Sequence, residues 1–198
     1  MKRFLIGTSL LALAVPAFAD NLSTGIATWS VTEENSYNPG ATATAGVVTP
    51  SDADWYGGWV ANSSSSSWVA YDPTNCCDNG LGDYTTTFTL DASDIGTANI
   101  SGAWTLDDAG VLLLNGHTIA TLGGGNWGSL FSFSIPAGSA NFQLGTNTLE
   151  VDITSTDSYL EGVNVQANLS SVPEPSSLVL LATLAGIFVT FARRKKAA

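Results

Sequence analysis

Apolar and polar residues alternate along the middle of this chain with a period of two, the spacing of a half-buried β-strand. Residues 84–90, Tyr-Thr-Thr-Thr-Phe-Thr-Leu, show this alternation most clearly. Residues 111–122 contain two apolar runs separated by Asn115-Gly116. Such a pair is typical of a type I′ turn, because both central residues of that turn need a positive φ. These two stretches therefore predict a strand and a β-hairpin.

Further strands are predicted where β-branched, aromatic and aliphatic residues form short runs between Gly, Asn, Asp and Ser. They cover residues 25–31, 44–49, 99–106, 131–135, 147–154 and 162–169. Residues 20–171 contain no helical periodicity. About ten short strands with regularly spaced turn residues predict an all-β fold, a two-sheet antiparallel sandwich or jelly roll.

The N-terminal residues 1–19 have the three parts of a secretory signal. Lys2 and Arg3 provide the positive start, residues 4–15 an apolar run, and Ala17-Phe18-Ala19 a small-x-small cleavage site. We therefore expect a signal helix that signal peptidase removes, with Asp20 as the first residue of the mature protein.

A second apolar segment closes the chain. Residues 178–192 are apolar or small, and a basic cluster follows them: Arg193, Arg194, Lys195 and Lys196. A helix of this length rises only about 22 Å against a hydrocarbon core of roughly 30 Å, and snorkelling basic side chains can close the gap. Basic residues beside a span stay cytoplasmic, so the preceding domain is expected outside. An ordinary single-pass anchor is one interpretation.

The segment before this span gives a more specific interpretation. It reads Val172-Pro173-Glu174-Pro175, in which Pro-x-Pro favours an extended, accessible joint. Motif, span and basic end over residues 172–198 resemble the PEP-CTERM sorting tail of Gram-negative bacteria. The resemblance implies a transient inner-membrane precursor, processing by an exosortase, and a final place at the cell surface or in an exopolysaccharide-rich biofilm matrix. Some proteins labelled ice-binding carry the same tail.

Charge is distributed unevenly along the chain. All six Lys and Arg lie in the two terminal segments, whereas all seventeen acids lie between Asp20 and Glu174. The exported domain, residues 20–171, therefore lacks permanently positive side chains, which excludes nucleic-acid binding through a basic patch. Such a surface is expected to attract divalent cations or neutral, hydroxyl-rich ligands.

The order of the predicted strands carries a second resemblance, over residues 55–169. It rests on Trp68, residues 84–90, Gly102 to Asp108, Val111 to Gly116, Phe133 to Ile135, Gly145 to Leu149 and Gly162-Val163. These residues resemble a galactose-binding-like β-sandwich, a superfamily that includes carbohydrate-binding modules. The fold hosts many ligands, so the resemblance implies an architecture rather than a function.

Two groups of residues are candidates for ligand binding. Asp107 and Asp108 end a predicted strand and either hold calcium with backbone carbonyls or form a solvated acidic turn. Aromatic rings in Gly-rich loops can stack on sugars, and Trp55, Tyr56, Trp59 and Trp127 lie in such loops. Core packing is an equal alternative for these four, and it is the expectation for Trp29, Trp68 and Trp104.

Catalysis has little support in the sequence. The only histidine, His117, follows the hairpin turn, and no acidic pair stands in a recognisable active-site motif. Cys76 and Cys77 are adjacent and do not match zinc spacing. The sequence therefore predicts a non-enzymatic, exopolysaccharide-associated surface or matrix protein. A secreted glycan-active enzyme and an ice- or surface-adhesion module are the alternatives, although Thr85-Thr86-Thr87 is short for a threonine array.

Overall fold

The computed structural model describes residues 17–35, 38–43, 58–70, 81–155 and 161–172. These residues form two antiparallel sheets, with strand orders β1-β10-β5-β8 and β3-β2-β4-β9-β6-β7. The strands are β1 (Phe18–Asn21), β2 (Ser30–Asn35), β3 (Asn38–Ala43), β4 (Leu81–Leu90), β5 (Asn99–Asp107), β6 (Ala109–Leu114), β7 (His117–Leu122), β8 (Phe131–Ile135), β9 (Gly145–Ser155) and β10 (Gly162–Ser171). The predicted all-β sandwich is confirmed.

Within those ranges, no helix is long and apolar enough to cross a membrane. The signal helix predicted within residues 1–19 and the span predicted at residues 178–192 fall largely or wholly outside the described residues. The same holds for the strand predicted at residues 44–49 and for Cys76 and Cys77.

The core lies between the two sheets and follows the alternation seen in the sequence. On β4 the inward residues Tyr84, Thr86, Phe88 and Leu90 are buried. Alternate residues of β10 face them from the other sheet, where Val163, Val165, Ala167 and Leu169 are fully buried. Burial of this apolar surface is the main force that holds the sheets together.

The Asn115-Gly116 hairpin is confirmed. Asn115 has φ 53° and Gly116 has φ 77°, as a type I′ turn requires. The Asn115 side chain also joins the hairpin to β9, because its amide donates to Asn147 Oδ1 at 2.8 Å and its Oδ1 accepts from Thr148 N–H at 2.8 Å. Asn147 is fully buried and also bonds Gln143, so one amide network holds two turns together.

The strand predicted at residues 25–31 is largely wrong. A turn occupies its first part, in which the N–H of Ala27 donates to the carbonyl of Ser23 at 2.9 Å. The residues just before this turn lie along the edge of β10, where Thr24 N–H donates to Val165 O at 2.9 Å. The chain then crosses to the second sheet, and β2 begins only at Ser30.

Both ends of the domain meet on one side of the first sheet. β1 runs antiparallel to β10, with Phe18 opposite Ser171 and Asn21 opposite Asn168. We call the end of the sandwich where Phe18 and Ser171 lie the tail pole. At the other end of β10, Gly162 lies opposite Asp107 of β5. β10 has ten residues, so its two ends, Gly162 and Ser171, are roughly 30 Å apart at about 3.3 Å per residue.

Candidate functional site

A group of tryptophans packs at the end of the sandwich remote from the tail pole. Trp59, Trp68 and Ala70 form a buried cluster separate from the main core, and Val60 and Trp127 pack against it. We call these five residues the tryptophan cluster. The ring centroids of Trp59 and Trp68 are 4.1 Å apart with planes tilted by 31°. This contact fixes both rings and gives this end of the domain a rigid aromatic body.

Hydrogen bonds fix the two buried indoles. The Trp68 indole N–H donates to Val60 O at 2.7 Å, and the Trp59 indole N–H donates to Asp107 Oδ2 at 3.0 Å. The backbone N–H of Trp68 also donates to Asn62 Oδ1 at 2.8 Å. Both indole donors are therefore satisfied within the protein, as burial requires.

The cluster is attached directly to β10. Val69 and Val163 exchange two backbone hydrogen bonds of 3.0 Å, which place residues 58–70 along the strand edge. Gly162 lies beneath the rings, and a Cβ atom there would be 3.3 Å from Trp68 and 3.5 Å from Trp59. The same atom would be 3.2 Å from the carbonyl oxygen of Val69, so even alanine here would require small shifts of that carbonyl and of the Trp68 ring.

Trp127 is the member of the cluster with the most accessible ring. It is half-buried and lies in the loop between β7 and β8. Two bonds hold that loop: Val60 N–H donates to Trp127 O at 2.8 Å, and the Thr105 hydroxyl donates to Asn126 O at 2.7 Å. The loop thus presents one indole beside the buried tryptophan pair.

For Trp59 the structure favours core packing, one of its two alternatives, over an exposed ring. Its side chain is only 9% exposed, because it stacks on Trp68 and bonds a carboxylate of β5. Trp29, Trp68 and Trp104 are buried as expected, although Trp68 belongs to the tryptophan cluster rather than the main core. Trp55 and Tyr56, the other two aromatic candidates, lie outside the described residues.

Asp107 and Asp108 lie beside the cluster, where β5 ends and β6 begins. Asp107 is 8% exposed and one of its oxygens already accepts the Trp59 bond, whereas Asp108 is half-buried. Across the described ranges, no group of three or more His, Cys, Asp or Glu residues is arranged to hold a metal ion. A calcium ion here would therefore depend on backbone carbonyls and water for most of its six to eight oxygen ligands.

Sequence reasoning missed a buried amide near the cluster. Asn164 of β10 is 1% exposed, and both polar atoms of its side chain find no hydrogen-bond partner among the described residues. It stands opposite Thr105 and two residues from Gly162. Buried groups of this kind are usually satisfied by ordered water. The sequence does contain a signal for this burial, because Asn164 lies between two valines in a predicted strand.

The outer face of the second sheet carries hydroxyl groups in rows. Thr87 lies opposite Thr148 and Thr89 lies opposite Thr146, while the Thr86 side chain points inward and donates to Thr28 O at 2.9 Å. Acids share this face, where Asp83 lies opposite Asp152. Burial, and secondarily the charge of Asp152, raises the pKa of Glu150 above its ordinary value.

Comparison with known proteins identifies the C-terminal segment. The family model described as the PEP-CTERM protein-sorting motif matches residues 171–196. The tail is a PEP-CTERM sorting signal. The match includes the predicted motif at residues 172–175 and the basic cluster at residues 193–196. The predicted PEP-CTERM tail is therefore confirmed, and such a tail implies an exported protein that an exosortase processes at the membrane.

No curated protein sequence matches the chain. Similar solved structures include the GH26-CBM35 β-(1,4)-mannanase of Podospora anserina, with 13% identity, 79% of this chain covered and a TM-score of 0.37. This chain spans 28% of the length of that mannanase. A CBM35 from Paenibacillus barcinonensis has 16% identity, coverage of 78% of this chain and 98% of its own, and a TM-score of 0.36. The CBM35 from Cellvibrio japonicus Abf62 has 17% identity, coverage of 72% and 92%, and a TM-score of 0.31.

Proposed function

We propose that this protein is a non-catalytic carbohydrate-binding protein of the cell surface or extracellular matrix of a Gram-negative bacterium. The observation that carries the proposal is the half-buried Trp127 ring beside the stacked Trp59–Trp68 pair. An indole held in place by its neighbours offers a flat apolar face to the C–H face of a sugar ring at little entropic cost. Neighbouring polar groups can then bond the sugar hydroxyls.

Charge supports a neutral or cation-bridged polysaccharide as the ligand. Residues 20–171 contain no Lys or Arg, so an anionic polymer would be repelled unless a divalent cation lay between the two. Asp108, half-buried beside the cluster, can contribute to such a bridge with carbonyl groups and water. Calcium is therefore the cofactor that we propose for this site, and exopolysaccharide is the proposed partner.

The test is a pull-down of the exported protein with exopolysaccharide purified from the producing cells. Trp127→Ala should abolish the pull-down while the melting temperature stays close to that of the wild type. His117→Ala is the control, because His117 is exposed, lies at the β6–β7 hairpin and does not belong to the tryptophan cluster. Undiminished binding by Trp127→Ala would refute the proposed site. Release of reducing sugar by the wild-type protein would instead favour a glycan-active enzyme.

The threonine rows on the second sheet favour an ice- or surface-adhesion module as a second candidate. Cross-strand pairing makes Thr87, Thr89, Thr146 and Thr148 a two-dimensional array, which the short run in the sequence did not indicate. Thr87→Lys would place a long charged side chain in that array. Loss of ice-recrystallisation inhibition in this variant, with polysaccharide binding unchanged, would support adhesion through this face, whereas a wild type without such inhibition would remove the candidate.

A further inference from the structure

The predicted signal-peptide cleavage site lies inside a paired strand. Hydrolysis of the Ala19–Asp20 bond would leave the new carboxylate on the signal peptide and a free α-amino group on Asp20. Yet Phe18 and Ala19 belong to β1, where they lie opposite Ser171 and Ser170 of β10. Cleavage therefore removes half of β1 and leaves only the pairs made by Asp20 and Asn21.

The residues that lose their partners are those where the sorting signal begins. The sorting-motif match starts at Ser171, and the pairing of β10 with β5 ends one residue earlier, at Ser170 opposite Asn99. Phe18 is therefore the only strand neighbour that Ser171 has among the described residues. Once Phe18 is gone, the strand ladder no longer holds the backbone of Ser171.

The rest of the sheet does not depend on the lost residues. Leu22 N–H donates to Ala167 O at 2.8 Å, and Thr24 N–H donates to Val165 O. These bonds keep the mature N-terminal segment on the edge of β10. Among the described residues, the Ser171 hydroxyl still donates to Asp94 Oδ1 at 2.6 Å. The next residue, Val172, is already 64% exposed.

We infer that removal of the signal peptide unlocks the sorting tail for its processing enzyme. An enzyme that cuts near residues 172–175 must take the adjoining backbone into its own site, and backbone paired in a sheet must first be released. The retained signal residues hold that backbone, and their removal frees it. The two processing events therefore occur in a fixed order, signal first and tail second. This inference rests on the exosortase processing that the sorting tail implies.

The test follows both cuts by mass spectrometry of the full chain in cells that carry the processing enzyme. Ala17→Leu with Ala19→Leu replaces both small residues that signal peptidase needs. We expect tail cleavage to fall about tenfold in this variant, the order of magnitude for two ladder hydrogen bonds. Adding Phe18→Pro should restore tail cleavage with the signal still attached, because proline cannot donate to the ladder.

The possible outcomes separate strand pairing from other causes. Unchanged tail cleavage in the double-leucine variant would overturn the fixed order. Failure of Phe18→Pro to restore cleavage would overturn strand pairing as the cause of that order, by showing that membrane retention blocks the enzyme instead. A wild-type chain that loses its signal but never its tail would refute tail processing itself.

Discussion

The indole N–H of Trp59 donates a 3.0 Å hydrogen bond to a carboxylate oxygen of Asp107, 48 residues further along the chain. The bond joins a loop to the end of β5, and both side chains are more than nine-tenths buried. Bonds from a neutral donor to a charged acceptor are stronger than those between neutral groups. This contact therefore fixes the tryptophan cluster on the sheet.

Loss of this bond should destabilise the domain even when the ring is kept. Trp59→Phe preserves the contact with Trp68 but removes the indole donor, so we expect the free energy of unfolding to fall by about 1–3 kcal/mol. Urea unfolding of the exported protein measures it. Trp104→Ala, in the main core, should cost about 3–5 kcal/mol. A Trp59→Phe variant as stable as the wild type would show that the bond contributes nothing.

The amide network behind the hairpin should be a second site of high sensitivity. Asn147 accepts bonds from Asn115 and Gln143 and donates to the carbonyls of Gln143 and Gly145. Asn147→Ala leaves several buried groups without partners, and we expect a loss of about 2–3 kcal/mol by urea unfolding. His117→Ala, at an exposed hairpin residue, should stay within about 0.5 kcal/mol. Equal effects of the two substitutions would contradict the network's role.

Glu150 should make the domain less stable as pH rises. Its folded-state pKa is raised above the ordinary value of 4.5 by burial and then by the charge of Asp152. Between the unfolded and folded pKa values the folded protein binds more protons, so stability falls with rising pH through that window. Glu150→Gln should therefore raise the melting temperature at pH 7, and this gain should vanish near pH 4. If the melting temperature rose equally at both pH values, the titration of Glu150 would not be the cause.

Calcium should stabilise the domain more than sodium does at matched ionic strength. Any salt screens the repulsion among the acids, but a bound ion adds stability that depends on its concentration. Thermal unfolding in millimolar calcium should therefore show a higher melting temperature, and Asp108→Asn should remove the difference. Asp108 is the residue to change, because Asp107 also supports Trp59. If calcium and sodium raised the melting temperature equally, screening of the acids alone would explain the effect and no calcium site would be needed.

Local patterns located the strands whose burial alternates. Residues 84–90 have one face in the core, so the period of two is visible in the sequence and β4 forms where it was predicted. The Asn115-Gly116 turn is equally local, because it depends on the backbone preferences of two residues.

The features that the sequence did not reveal depend on distant contacts. Trp59 is preceded by two glycines, and only its bonds to Asp107 and Trp68 decide that it is buried. The role of Phe18 and Ala19 in β1 depends on the far end of the chain, since their partners are Ser171 and Ser170. No local pattern contains that information, so sequence reasoning assigned both residues to the signal peptide alone.

The position of β10 has a mechanical consequence. Its first residue, Gly162, lies under the tryptophan cluster, and its last, Ser171, enters the sorting tail. Under the proposed function, tension between a polymer bound at one end and an anchorage at the other would act along this strand. Its nine residue pairs with β5 are joined by hydrogen bonds perpendicular to the strands. Such a load shears these bonds together instead of unzipping them in turn, which is the geometry in which a small sheet resists pulling best.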